Sequence, residues 1–205
     1  MSYIKDPMEI EKRSFEIITE ELGPKSFTEK EGKIIKRMIH TSADFEYADI
    51  TAIHPEAIEA AMEALRAGCR IYTDTRMAMA GINKNTLKKY GSEVYCLVDD
   101  PEIAKEAKDK GLTRSMLGIE RAIEDEGTKI FVIGNAPTAL FVLCQAIAEG
   151  RAKPAVVIGV PVGFVGAAES KEELINTPVP YITARGRKGG STIAASIINA
   201  LLYML

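Results

Sequence analysis

The chain has 205 residues, 46% of them hydrophobic, and its 26 Lys and Arg against 29 Asp and Glu leave a net charge of −3. That length suits one domain, 1–205, with a substantial core, and the slight acidity without a Lys/Arg block excludes bulk electrostatic binding of nucleic acid. No apolar leader follows Met1 and no apolar run reaches the ~18 residues of a membrane span. Cys69, Cys96 and Cys144 stand far apart without a C-x-x-C pair, so the expectation is a cytoplasmic protein with reduced thiols, no membrane contact, no disulfide framework and no structural zinc.

Asp6-Pro7 supplies an N-cap and an N1 proline for a first helix that Gly23-Pro24 closes, with Phe15, Ile18 and Leu22 as its apolar stripe. Thr28-x-x-Glu31 is a capping box. The period of Ile34, Ile35, Met38 and Ile39 then predicts a second amphipathic helix ending at His40. His54-Pro55 starts a third helix that Gly68 stops. From Cys69 onward short apolar runs alternate with helical segments, the pattern of a parallel sheet. Strands are predicted near 70–73, 94–98, 129–133, 155–160 and 181–183, and helices near 101–110, 114–126, 137–149, 170–176 and 191–203. The fold class that follows is three-layer α/β/α, with a mainly parallel, doubly wound sheet of five strands and the first two helices as an N-terminal helical appendage. The closing Ala200-Leu201-Leu202-Tyr203-Met204-Leu205 is apolar without a polar last turn, which predicts a patch covered by a second copy of the chain. The competing reading is a helix packed wholly on its own sheet.

Ligands of open α/β sheets lie beyond the carboxyl ends of the strands, so those loops are read together. The third predicted strand runs into Gly134-Asn135-Ala136-Pro137-Thr138, a tight turn that would aim free helix amides at the cleft. The fourth runs into an apolar, glycine-rich wall, Gly159 to Gly166, with Gly163 at its centre. The last leads to Arg185-Gly186-Arg187-Lys188-Gly189-Gly190-Ser191, where three cations precede glycines and a helix start, the best anion site in the chain. Arg114-Ser115 offers a second anion contact at a helix start. His40, one of two histidines, can give or take a proton near neutral pH, and Arg37 shares its helix face. Each has a plainer alternative: a surface or capping histidine, glycines that only serve turns, and an exposed loop before a helix. The Walker, G-x-G-x-x-G and G-x-S-x-G patterns are missing, and capping explains Asp74, Asp99 and Asp100 more simply than a metal pair does.

The stretches Ile133 to Leu140, Pro161 to Lys171 and Gly186 to Ser191, with Glu11-Lys12-Arg13-Ser14-Phe15, Arg37-Met38-Ile39-His40 and Thr113-Arg114-Ser115, resemble the precorrin-8X methylmutase family over nearly the whole chain. The resemblance implies an isomerase of corrin biosynthesis that moves a methyl group from C-11 to C-12 of precorrin-8, or of cobalt-precorrin-8, giving hydrogenobyrinate or cobyrinate. It further implies a proton donor at His40, substrate contacts at Ser14 and Arg37, a homodimer and no cofactor. The loop reading agrees: a polycarboxylate macrocycle needs cations and close backbone, here Arg114, Ser115, Asn135, Thr138, Gly163, Arg187, Lys188, Gly189 and Gly190. The role of Arg76 stays open, as does the presence of cobalt in the substrate. Two other classes compete. A methyltransferase using S-adenosylmethionine would carry a glycine-rich first βα loop, which Asp74-Thr75-Arg76 does not supply, and a non-catalytic tetrapyrrole carrier would not need His40.

Overall fold

The computed structural model describes residues 4–205. Two helices lead, α1 (Pro7–Leu22) and α2 (Glu29–Ser42), followed by the short α3 (Tyr47–Ile50), strand β1 (Thr51–Ile53) and α4 (Ala57–Arg66). The alternating part then runs β2 (Arg70–Thr73), α5 (Arg76–Gly81), α6 (Lys84–Lys89), β3 (Glu93–Tyr95), α7 (Pro101–Lys110), α8 (Arg114–Ile123), β4 (Thr128–Ile133), α9 (Pro137–Ala148), β5 (Val156–Gly159), α10 (Ala167–Ile175), β6 (Tyr181–Ala184) and α11 (Ser191–Leu202). Local chemistry accounts for the helix starts. The Asp6 carboxylate accepts from the amides of Met8 and Glu9, Thr28 and Glu31 close a reciprocal capping box, and Asp100 accepts from Glu102 and Ile103.

The sheet has six strands in the order β1-β6-β5-β4-β2-β3, all parallel except β1, which pairs antiparallel with β6 through Ala52 opposite Thr183. Side-chain alternation splits the apolar strands between two layers. Ile71, Ile130, Val132, Val156, Ile158 and Ile182 meet α2, α4 and α11, while Tyr72, Phe131, Ile133 and Val157 meet α8, α9 and Leu174 of α10.

Five strands were expected and six are found. β1 has three half-buried residues between two helices, too few to show a period, and its pairing comes from where the chain returns to the sheet rather than from its own pattern. The short helices α3, α5 and α6 were missed for the same reason, and the strand expected at 94–98 pairs only over Glu93–Tyr95. α2 runs two residues past His40 and ends on Ala43, a left-handed residue at φ 55°. It is also not an appendage. Ile34, Ile35, Met38 and Ile39 are buried in one layer against α11, while α1 is more peripheral and adds only Ile18 to that cluster as a buried residue. The tail reading changes likewise, because Ala200, Leu201 and Leu202 are buried in the chain's own core and only Tyr203 remains exposed.

Lys171 on α10 is fully buried, with its ammonium donating to the Lys188 carbonyl at 2.7 Å. Burial pulls its pKa from the usual 10.5 down to about 8. Between those two values the unfolded chain holds a proton that the folded protein has released, so stability rises with pH across that window. Urea midpoints at pH 7.5 and 9.5 should therefore rise more for the parent protein than for Lys171→Met; parallel pH profiles would contradict the buried ammonium.

Candidate active site

The rim of the sheet's carboxyl edge is where α2 delivers His40. The imidazole is exposed on one side and stacked on Phe15 of α1 on another, 5.1 Å between ring centroids with 23° between planes. The same Phe15 ring takes the Arg37 guanidinium at 4.6 Å, which also lies 5.1 Å from the Tyr203 ring and gives a 2.5 Å ion pair to Glu11. Arg37 and Phe15 thus hold the face of α2 from which His40 projects. Ser14, beside Phe15, is half-buried and donates to the Ile10 carbonyl of its own helix at 2.8 Å. Beside His40 opens a cleft of about 270 Å³ between α2, Met77 and Gly81 of α5, and the length of α11 from Thr192 to Asn199, with Tyr203 just beyond its end. That volume is at the small end for ligand pockets, so this cleft by itself does not enclose a large ligand.

Those loops are packed on one another by backbone contacts. A side chain at Gly189 would put its Cβ 2.1 Å from the Val160 carbonyl oxygen, which leaves glycine as the residue that fits. The Gly190 amide donates to that carbonyl at 2.8 Å, and the Gly163 amide donates to the Arg187 carbonyl at 3.1 Å. At the start of α11, the Ser191 and Thr75 hydroxyls meet at 2.7 Å, and a Cβ on Gly134 would come 2.7 Å from Ser191 Cα. Gly163, Gly189 and Gly190 are therefore gathered into one wall.

The turn after β4 is already filled. Asp74, buried at the end of β2, accepts from the amides of Gly134, Asn135 and Ala136 at 2.9, 2.8 and 2.8 Å. The amides expected to face a ligand are spent on this carboxylate, whose pKa burial pushes up against the pull of the three donors. What Asn135 and Thr138 present is their exposed side chains. The Thr138 hydroxyl lies 3.5 Å from that of Thr113, which brings the start of α9 beside the start of α8, where Arg114 is exposed and Ser115 half-buried. Asp99 pairs with Arg76 at 2.8 Å and Asp100 caps α7, so all three aspartates have structural partners.

The three cations of the last loop divide. Arg185 pairs with Glu172 at 2.5 Å, and Lys188 pairs with Asp44 at 2.5 Å and Glu46 at 2.7 Å. The two acids push the Lys188 pKa up, and the Lys188 ammonium, with the Glu46 amide, pulls that of Asp44 down. Arg187 lies 5.3 Å from the ring of Phe164, and among the described residues neither it nor Arg114 makes an ion pair. Sequence reasoning gave Phe15 no site role beyond the core stripe, read Asp74 as a cap without naming the amides that it holds, and assigned no role of their own to Tyr203 and Lys171. Phe15 had a usable signal, since it follows Ser14 on the helix read as carrying a site residue.

A doubly wound α/β protein with an exposed histidine at the carboxyl edge and two arginines without acid partners among the described residues is an architecture suited to an anionic ligand. The chain belongs to the precorrin-8X methylmutase family, whose sequence model, described as precorrin-8X methylmutase, matches residues 9–204. It is 49% identical over 211 aligned positions to the cobalt-precorrin-8 methylmutase of Salmonella typhimurium, covering 100% of this chain and 99% of the relative. It is 48% identical over 195 positions to that of Priestia megaterium, covering 95% and 87%. The crystal structure of a precorrin-8X methyl mutase from Thermus thermophilus superimposes with a TM-score of 0.88 at 42% identity, covering 96% of this chain and 95% of that one. The protein is accordingly an isomerase, an intramolecular transferase of cobalamin biosynthesis, and the methyltransferase and carrier alternatives fall away. Among the described residues no helix is long and apolar enough to cross a membrane.

Asp74→Asn keeps the shape but replaces one accepting oxygen by an amide NH2 that faces backbone N–H donors, so it should destabilise the fold by about 1–3 kcal/mol. Urea denaturation measures it; a change below about 0.5 kcal/mol, the usual effect of a surface substitution, would contradict the role given to this carboxylate.

Proposed function

We propose that the protein converts cobalt-precorrin-8 to cobyrinate by moving the C-11 methyl group to C-12, with His40 as the proton donor. The observation that carries this is the imidazole of His40, exposed and stacked on Phe15, beside a cleft lined by Arg37, Met77 and Thr192 at the start of α11. His40 gives its proton to the conjugated macrocycle, which becomes electron-poor. The bond from C-11 to the methyl carbon breaks, the methyl moves with the bonding pair to C-12, and the proton returns to His40. Nothing is gained or lost, as an isomerisation requires, and no external methyl donor or cofactor enters. General acid help of this kind is typically worth ~10²–10⁴-fold.

The remaining residues contact substrate in this reading. Ser14 and Arg37 meet the ring edge over His40, Gly163, Gly189 and Gly190 let the macrocycle approach the backbone, and Ser115, Asn135 and Thr138 donate from the far rim. Arg114 and Arg187 take carboxylates, which their lack of ion pairs supports. Cobalt is part of the substrate, and the choice of cobalt-precorrin-8 follows the names of the relatives at 48–49% identity. The protein works in the cytoplasm as a homodimer. The tail no longer argues for that, but Phe164 and Val165 are 83% and 90% exposed beside the site, an apolar pair that a second copy can cover.

His40→Asn should lower turnover by at least ~10²-fold while cobyrinate binds within a few-fold of normal, since the proton is lost and the carboxylate contacts remain. Near-normal turnover would refute the donor. In parallel assays cobalt-precorrin-8 should turn over faster than the metal-free compound, followed by the absorbance change of the macrocycle; the reverse order would refute the cobalt preference. Sedimentation at micromolar concentration should give a dimer, and an active monomer would exclude the dimer requirement.

A further inference from the structure

We infer that Lys188 does not bind substrate but is a positioning residue, which ties the cationic loop to the turn that ends the His40 helix. The inference rests on the reading of His40 as proton donor. Lys188 is held at both ends. Its carbonyl accepts from the buried Lys171 ammonium at 2.7 Å, and the next residue, Gly189, is pressed on the Val160 carbonyl, so its backbone has no room to shift. Its own ammonium reaches back across the sequence to Asp44 Oδ2 at 2.5 Å and Glu46 Oε2 at 2.7 Å.

The receiving turn needs such a tie. α2 ends because Ala43 turns left-handed at φ 55°, with its amide on the Ile39 carbonyl at 2.7 Å. A residue with a Cβ holds that conformation at a cost and persists in it when its surroundings fix it. Asp44 follows at once. Its Oδ1 accepts from the Glu46 amide at 3.0 Å and its Oδ2 takes Lys188, so a single carboxylate joins the end of the His40 helix, the start of α3 and the loop before α11.

Charge argues the same way. One ammonium faces two carboxylates, which leaves the cluster net negative, and a substrate carboxylate arriving at Lys188 would meet Asp44 and Glu46 as well. Arg187, one residue earlier, turns to the exposed Phe164 and carries no such acids. The loop thus assigns one cation to substrate and the next to the geometry of His40.

The test uses the full-length enzyme, with turnover of cobalt-precorrin-8 and affinity for cobyrinate read by absorbance. Lys188→Met should lower kcat by roughly ten- to a hundred-fold, the scale of a slightly misplaced catalytic group, while the product dissociation constant stays within about two-fold. Asp44→Asn/Glu46→Gln should lower kcat to the same extent, the triple variant should fall no further, and Lys188→Arg should recover most of the rate. A substrate-binding Lys188 gives the opposite signs: Lys188→Met weakens product binding with kcat preserved, and the acid double variant tightens binding by freeing the ammonium. That outcome, or unchanged kcat in every variant, overturns the inference. If Lys188→Met does not fold, the acid double variant decides alone by the same signs. A His40→Asn control kept in the series separates the two claims, because activity there refutes the proton donor whatever Lys188 does.

Discussion

The β6–α11 loop lodged against the end of β5 is the constraint on which the rest of the site depends. Gly189 lies so close to the Val160 carbonyl that no side chain fits, and the amides of Gly190 and Gly163 close the contact from both sides. This fixes where α11 begins, and α11 supplies the buried face on which Ile34, Ile35, Met38 and Ile39 of α2 pack. The position of the His40 helix is therefore set by a backbone approach at the opposite end of the chain. Lys171 adds a second hold on that loop from below, and its lowered pKa reflects how completely the loop covers it.

Around that contact the polar groups sort into those already used and those left over. The amides after β4 belong to Asp74, Arg185 to Glu172, and Lys188 to Asp44 and Glu46. For Asp74 burial leaves little choice, because an unmet buried donor or acceptor costs more than a met one gains. Among the described residues Arg114 and Arg187 are left without acid partners. Among the cations of these loops, the two without an acid partner are the ones free to take a ligand carboxylate.

Much of this was legible because it is local. Asp6, Thr28 with Glu31, Asp100-Pro101 and Thr113 each mark a helix start within a few residues, and every one caps the helix expected. The glycines and cations of the last loop are likewise a local pattern, and they do assemble at the carboxyl edge. What was not legible depends on distant partners. β1 exists only because β6 is there to pair with it, and the amides of the turn after β4 looked available because Asp74 lies 60 residues earlier. Lys188 looked like its neighbour Arg187 until Asp44, 144 residues away, separated them. Composition could not say whether the apolar tail faced its own core or another molecule, since both need the same residues.

The most direct measurement is a structure of the enzyme with cobyrinate bound. The account predicts the His40 imidazole against the face or edge of the macrocycle near C-11 and C-12, Arg187 and Arg114 on ligand carboxylates, and Lys188 still held by Asp44 and Glu46. A macrocycle bound away from His40 would contradict the account.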